Sequence, residues 1–160
     1  MMVTFPRFPR SFPQKRPDWK QSRKDIDNSI VKKLTSTNDG DRTEAKVANF
    51  IKNDMGKELT DFGNTVRDST KQPIGDIDCG MKDVLIEVKK SVNNVKKKQI
   101  YKYINYDDKK FINVSNKKVV LYIDEPMENI SAANQEKLQS IEEMGVTIVN
   151  GLEELKGVLE

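Results

Sequence analysis

The tightest constraint on the fold is a pair of strand-like runs a short turn apart, Ile74–Asp78 and Val84–Lys90. Both carry charge where an apolar core should continue. Alternate side chains on a strand share a face, so Asp76 and Asp78 point one way. In Val84-Leu85-Ile86-Glu87-Val88-Lys89, Glu87 and Lys89 share a face while Val84, Ile86 and Val88 turn into the core. The turn Cys79-Gly80-Met81-Lys82-Asp83 closes the two runs into a hairpin. Three carboxylates and a lysine then converge on one surface. A Glu-x-Lys pair alone describes the wet side of a surface strand. Its coincidence with Asp-x-Asp at hairpin distance points to a site, because charge within an apolar strand opposes burial.

The rest of the pattern places this hairpin in a larger sheet. Ile26, Ile30, Val31 and Leu34 form a helical stripe over residues 22–34, and Ser36–Gly40 breaks it. A second helix is expected from Arg42 to Asn53, with Val47, Ala48, Phe50 and Ile51 inward and Gly56 as its stop. Glu58–Phe62 reads as a first strand, ahead of the hairpin. Asn93–Tyr106 is helical, Val119–Ile123 is a buried strand, and Ser131–Met144 is a helix stopped by Gly145. Val146–Val149 and Leu152–Leu159 supply a last strand and helix. The order α-α-β-β-β-α-β-α-β-α predicts an α/β fold, a mixed central sheet flanked by helices.

At 160 residues the chain suits one domain and a tail. Residues 1–24 carry seven Lys/Arg against one Asp, a net of +6 that leaves −3 for the remainder. Pro6, Pro9, Pro13 and Pro17 bar this stretch from helix and central strand. It reads as a basic arm or linker ahead of a folded domain over 25–160. Phe5, Phe8, Phe12 and Trp19 among its arginines suit a grip on nucleic acid, but a linker from an upstream delivery module is the favoured reading. The basic start lacks the apolar stretch of a secretory signal, and no apolar run is long enough to span a membrane. Any export is therefore expected to use a dedicated system or a larger protein.

There is no histidine and one cysteine, Cys79. That excludes Ser-His-Asp and Cys-His nucleophilic sites, histidine-based ribonuclease chemistry, histidine-ligated zinc and an internal disulfide. Cys79 reads as a small buried residue. Chemistry must rest on carboxylates, lysines and hydroxyls, with or without a hard metal ion. Phosphodiester hydrolysis matches that inventory, since a divalent cation on oxygen ligands activates water and offsets charge on the phosphoryl group. Asp78, Glu87 and the Val88 carbonyl are the candidate ligands, and Lys89 the candidate for orienting the water or steadying developing charge.

The segments Gly75-Asp76-Ile77-Asp78 and Ile86-Glu87-Val88-Lys89 resemble the PD-(D/E)XK, or restriction-endonuclease-like, phosphodiesterases. They look most like the nuclease toxin domains at the C-termini of contact-dependent growth inhibition and Rhs polymorphic toxins. The likeness continues through Lys96–Gln99, Val119–Tyr122, Gly145–Val149 and Leu152–Leu155, covering roughly residues 42–156. It departs at Ser91, which Lys90 sets one place late. The resemblance implies a restriction-endonuclease-like αβββαβ core with Asp78 as the primary metal ligand. Asp76 would be a supporting or second-metal residue, and Glu44 would face the site from the first core helix. Glu44 has a competing role as the third helical residue of a capping box begun by Asp41. The resemblance also makes Gln99 a candidate site residue, beside the alternative of ordinary helix surface.

Lys90, Lys96, Lys97, Lys98 and Lys102 cluster beyond the hairpin with Lys89. They would bind substrate phosphates and offset repulsion from the carboxylates, or form a solvated helix face. The expected function is a metal-dependent endonuclease using Mg2+ or Mn2+, with Zn2+ as a third candidate. By resemblance it is a delivered toxin domain cleaving tRNA in the target-cell cytoplasm and bound by a cognate immunity protein. A DNA-cleaving toxin, a cytoplasmic housekeeping or phage nuclease, and a non-catalytic nucleic-acid-binding module are the alternatives. No oligomeric state is implied.

Overall fold

The computed structural model describes residues 21–160 and the backbone of Arg16–Pro17. Most of the expected basic arm lies outside the described residues. Arg16–Pro17 (β1) pairs antiparallel with one edge of the sheet, a position where the missing proline N–H leaves no central ladder bond unmade.

Two helices precede the main strands. α1 (Arg23–Leu34) starts at a reciprocal capping box between Ser22 and Asp25. It buries Ile26 and Ile30, but Val31 and Leu34, expected on the inward stripe, are 66% and 41% exposed. The inward face runs through Ile26, Ile30 and Lys33, seven residues on, which turns Val31 and Leu34 outward. α2 (Asp39–Asn49) begins a turn earlier than expected. Asn38 is its N-cap and accepts from the Asp41 N–H at 3.0 Å. Asp41 is therefore the third helical residue and not the cap, and Glu44 is released from capping. Ser36 Oγ donates to the Asp41 carboxylate at 3.0 Å, which fixes this earlier start. The last turn of α2 widens into a π-helical stretch, Phe50–Asp54. Gly56, at φ +66°, ends it as its composition predicts.

The strands are β2 (Asp61–Arg67), β3 (Pro73–Gly80), β4 (Val84–Lys89), β5 (Lys118–Ile123) and β6 (Thr147–Asn150). They lie in sequence order in a six-stranded mixed sheet. β1 through β4 are antiparallel, and β4, β5 and β6 are parallel. The first of the main strands corrects the expected Glu58–Phe62. It starts at Asp61 and runs through Gly63, Asn64 and Thr65, residues whose polarity and turn preference conceal a strand. Ladder bonds to β3 and the burial of Phe62 and Val66 hold it. The hairpin turn is also tighter than expected, because β3 runs on through Gly80 and Met81 N–H closes onto the Val84 carbonyl at 2.8 Å. The expected helix Asn93–Tyr106 is a 3-10 turn at Val92–Asn94 followed by α3 (Lys97–Ile104).

Helices cover both faces of the sheet. On one face α1, α2 and α5 (Gly151–Leu159) pack Ile26, Ile30, Ala48, Leu155 and Leu159 against Ile86, Val88 and Tyr122. On the other, α3 and α4 (Ala132–Glu143) pack Ile100, Tyr103, Leu138 and Ile141 against Leu85, Leu121 and Ile123. β4 and β5 are thus buried on both sides, the pattern of parallel strands under crossover helices. Among the described residues no helix is long and apolar enough to cross a membrane.

One local feature positions the site. Phe62 and Val66 have the same parity on β2 yet lie in opposite core clusters, and so do Cys79 and Ile77 on β3. The change falls at Gly63, which has φ +59°, and Asp78 across from it. Only glycine adopts this backbone freely, and a Cβ there would stand 3.0 Å from Lys33 Nζ. The ribbon rotates at this point, and the β3–β4 ladder stops at Cys79 opposite Ile86.

Candidate active site

Asp78 sits in the gap where β3 leaves β4. The Val88 N–H donates to Asp78 Oδ2 at 2.9 Å, a side-chain acceptor in place of a strand partner. The next inward-facing residue on β4 before Lys89 is Glu87, 3% exposed. Its Oε1 accepts from the Tyr103 hydroxyl at 2.5 Å and lies 3.6 Å from Lys102 Nζ. Its Oε2 lies 3.4 Å from Lys89 Nζ. Lys89 in turn donates to Gln99 Oε1 at 2.7 Å, which joins Gln99 to the cluster. From the opposite face α2 brings Glu44, whose Oε1 accepts from Lys33 Nζ at 2.9 Å. Glu44 raises the Asp78 carboxyl electrostatically, so the site-facing role of Glu44 is the one the geometry favours.

The cluster holds three carboxylates and three ammonium groups in little water. Burial first, then Glu87 and Glu44, push the Asp78 carboxyl well above the usual carboxylate range, against the pull of the Val88 N–H and Lys102. Burial, then Glu87 and Asp78, push the Tyr103 phenol far up, so it remains a donor. Burial pulls the Lys33 ammonium down, but the Glu44 hydrogen bond and the charges of Glu44, Asp41 and Asp78 outweigh it, and its pKa is raised. A carboxyl raised in this way holds its proton more tightly than a free one, and a divalent cation at the gap would have to displace that proton.

The remaining expected residues are placed less uniformly. Asp76 is exposed, and among the described residues its carboxylate joins none of the contacts around Glu87. Its backbone pairs with Thr65 in the ladder, and its carbonyl also accepts from Lys102 Nζ at 3.2 Å. Lys90 reaches away to Asp39 at 2.8 Å. Lys97 turns to α4 and donates to Ser140 Oγ at 3.2 Å, whereas Lys96 and Lys98 are exposed. Lys102 is drawn inward to Glu87. The lysine cluster therefore divides between a buried counter-charge and a smaller exposed surface. Cys79 is fully buried, its thiol pushed up by burial and then by Asp78 and Glu44.

The chain matches no family model, no curated protein and no solved structure.

Lys33 and Tyr103 belong to the site. Lys33 was not expected from the sequence, though it left a signal, a charge on the apolar stripe of α1. Tyr103 is expected near the site with the lysine cluster, but the sequence assigns it no role, because a tyrosine at that helix position serves equally as core. Among the described residues no group of three acidic or thiol side chains is spaced to enclose a metal ion. The donors that converge, Asp78 and Glu87 beside the Val88 peptide, are oxygen only. That chemistry fits a hard cation such as Mg2+ or Mn2+ better than Zn2+. A cavity of about 320 Å3 opens elsewhere, beside Ile26, Lys52, Gly56 and Leu59. Both of its carboxylates already face a cationic partner, Asp27 with Lys52 and Glu58 with Arg23, so the Asp78 gap is the stronger candidate for chemistry.

Proposed function

We propose that the chain is a metal-dependent phosphodiesterase that cleaves nucleic acid at the Asp78–Glu87–Lys89 centre. The observation that carries this reading is the opened ladder, with Asp78 holding the Val88 N–H while Glu87 and Lys89 lie 3.4 Å apart on the same strand. A sheet that needed these residues only for stability would close the ladder and leave the charges in water. Asp78 and Glu87 would hold a divalent cation, with the Val88 carbonyl as a third oxygen donor. When bound, the cation supplies Lewis-acid stabilisation of charge on the phosphoryl oxygens.

The chain's own side chains do the rest. Lys89, held by Gln99 and Glu87, orients an attacking water and lends positive charge beside the scissile phosphate. Glu44 stands on the far side of Asp78, where it adds negative field that favours cation binding. Lys96 and Lys98, exposed at the start of α3, would meet substrate phosphates. The αβββαβ order of α2, β2, β3, β4, α3 and β5 supports a restriction-endonuclease-like core. On that resemblance the substrate is tRNA, the setting is a delivered toxin domain, and the partner is an immunity protein that covers the site.

The test is incubation of the purified protein with total bacterial tRNA and, separately, plasmid DNA, under Mg2+, Mn2+, Zn2+ or EDTA. Discrete tRNA fragments that require Mg2+ or Mn2+ and vanish in EDTA are expected. Cleavage of plasmid alone moves the substrate to DNA, and cleavage of neither under any metal overturns the proposal.

A further inference from the structure

The two oxygens of the Glu87 carboxylate are treated differently by their surroundings. Oε1 takes the Tyr103 hydroxyl at 2.5 Å and has Lys102 Nζ at 3.6 Å, while among the described residues Oε2 has Lys89 Nζ alone, at 3.4 Å. Rotation about the last torsion of a glutamate is soft and two-fold, so an unrestrained carboxylate exchanges its oxygens freely. Here the exchange is blocked from one side. Lys102 also packs over the Tyr103 ring, 4.9 Å from its centroid, so the ammonium and the phenol act on Oε1 as a pair.

The phenol is itself anchored. Tyr103 is 2% exposed. Its carbonyl accepts from Asn113 Nδ2 at 3.1 Å, and the same amide nitrogen donates to the Lys117 carbonyl at 2.8 Å. Asn113 Oδ1 accepts from the Lys117 N–H at 2.9 Å. The buried Asn113 side chain thus fastens the end of α3 to the chain leading into β5. The position of the hydroxyl is set by backbone on both sides and not by a free side chain.

We propose that Tyr103 is a positioning residue for the carboxylate centre: its hydroxyl, with Lys102 Nζ beside it, clamps Oε1 so that Glu87 presents Oε2 to a bound divalent cation. The inference rests on the phosphodiesterase reading above and adds to it a residue outside the Asp-Glu-x-Lys pattern. Tyr103 touches neither substrate nor cation and acts only through Glu87.

Partners that orient a metal ligand typically change metal affinity by about 10–100-fold when removed. The test is calorimetric titration of Mn2+ into wild type, Tyr103→Phe, Lys102→Met, Glu87→Ala and the double variant Tyr103→Phe/Glu87→Ala, with thermal unfolding of each. Tyr103→Phe keeps the ring in the core and removes one oxygen. It should remain folded and bind Mn2+ about tenfold more weakly than wild type. The Tyr103→Phe effect should disappear in the Glu87→Ala background, which a general loosening of the core would not produce. Should Tyr103→Phe fail to fold, Lys102→Met tests the same clamp from the partly exposed side and should also weaken Mn2+ binding. Wild-type affinity in Tyr103→Phe, or in Lys102→Met where that variant stands in, overturns the positioning role and leaves the site intact if Glu87→Ala still binds Mn2+ measurably but more weakly than wild type. A wild type that neither binds Mn2+ nor cleaves nucleic acid overturns the inference together with the reading it rests on.

Discussion

The Val88 N–H donates to Asp78 Oδ2 at 2.9 Å, just beyond the last paired position of β3 and β4, Cys79 opposite Ile86. A carboxylate has replaced a strand carbonyl as the acceptor. The backbone donor stays satisfied while the strands part, so the gap forms without an orphaned amide.

The first prediction concerns the charge at that position. Asp78→Asn keeps an acceptor for Val88 and removes the negative charge. Burial, then Glu87 and Glu44, raise the carboxyl in the folded chain, which therefore holds a proton that the unfolded chain has released. Stability contributed by this group falls as pH rises from the ordinary carboxylate range through the raised one, because the folded state binds more protons across that window. In EDTA at pH 7, Asp78→Asn should be more stable than wild type by on the order of 1 kcal/mol, about 3 °C in Tm. The gap should narrow toward pH 4. Urea unfolding across this range checks it, and a wild type more stable than the variant at pH 7 counts against the cluster.

A second prediction separates two adjacent lysines. Lys98 is exposed, whereas Lys97 is turned to Ser140 on α4. Lys98→Ala should weaken RNA binding and lower the salt slope by about one, while Lys97→Ala should change neither. Fluorescence polarisation with a short RNA hairpin in EDTA, between 50 and 200 mM salt, reads both. Equal losses would mean the surface does not follow the contacts of α3.

Cys79 gives a third. It is fully buried beside Ile86 and Phe62, with its thiol raised by burial and then by Asp78 and Glu44. A thiol-specific reagent at pH 8 should label it only after unfolding. Cys79→Ser should cost about 1–3 kcal/mol, because the hydroxyl enters an apolar cluster. Rapid labelling of the native protein would contradict the placement of β3.

How much of this was legible in the sequence varies from element to element. The hairpin was legible because strand parity put Glu87 and Lys89 on one face, and no helix could do so. α1 was legible from Ile26 and Ile30, but its stripe was drawn too wide, since Val31 and Leu34 match the period without facing the sheet. β2 was obscured by Gly63 and Asn64, whose turn preferences are overridden by pairing with β3. At the start of α2, Asn38-x-x-Asp41 and Asp41-x-x-Glu44 both satisfy the capping spacing, and only the contact of Asp41 with Ser36 selects the first. Lys33 and Tyr103 depend on how α1 and α3 cross the sheet, a tertiary fact that no local pattern carries.

The most direct test of the central claim is the initial rate of nucleic-acid cleavage by Asp78→Ala and Lys89→Ala beside wild type at saturating Mg2+. The account predicts that each variant stays folded and loses at least about 100-fold in rate, consistent with removal of a ligand or of positive charge at the reacting phosphate. Variants that cut as fast as wild type would contradict it, and the Asp78 gap would then be a feature of the fold and not its active centre.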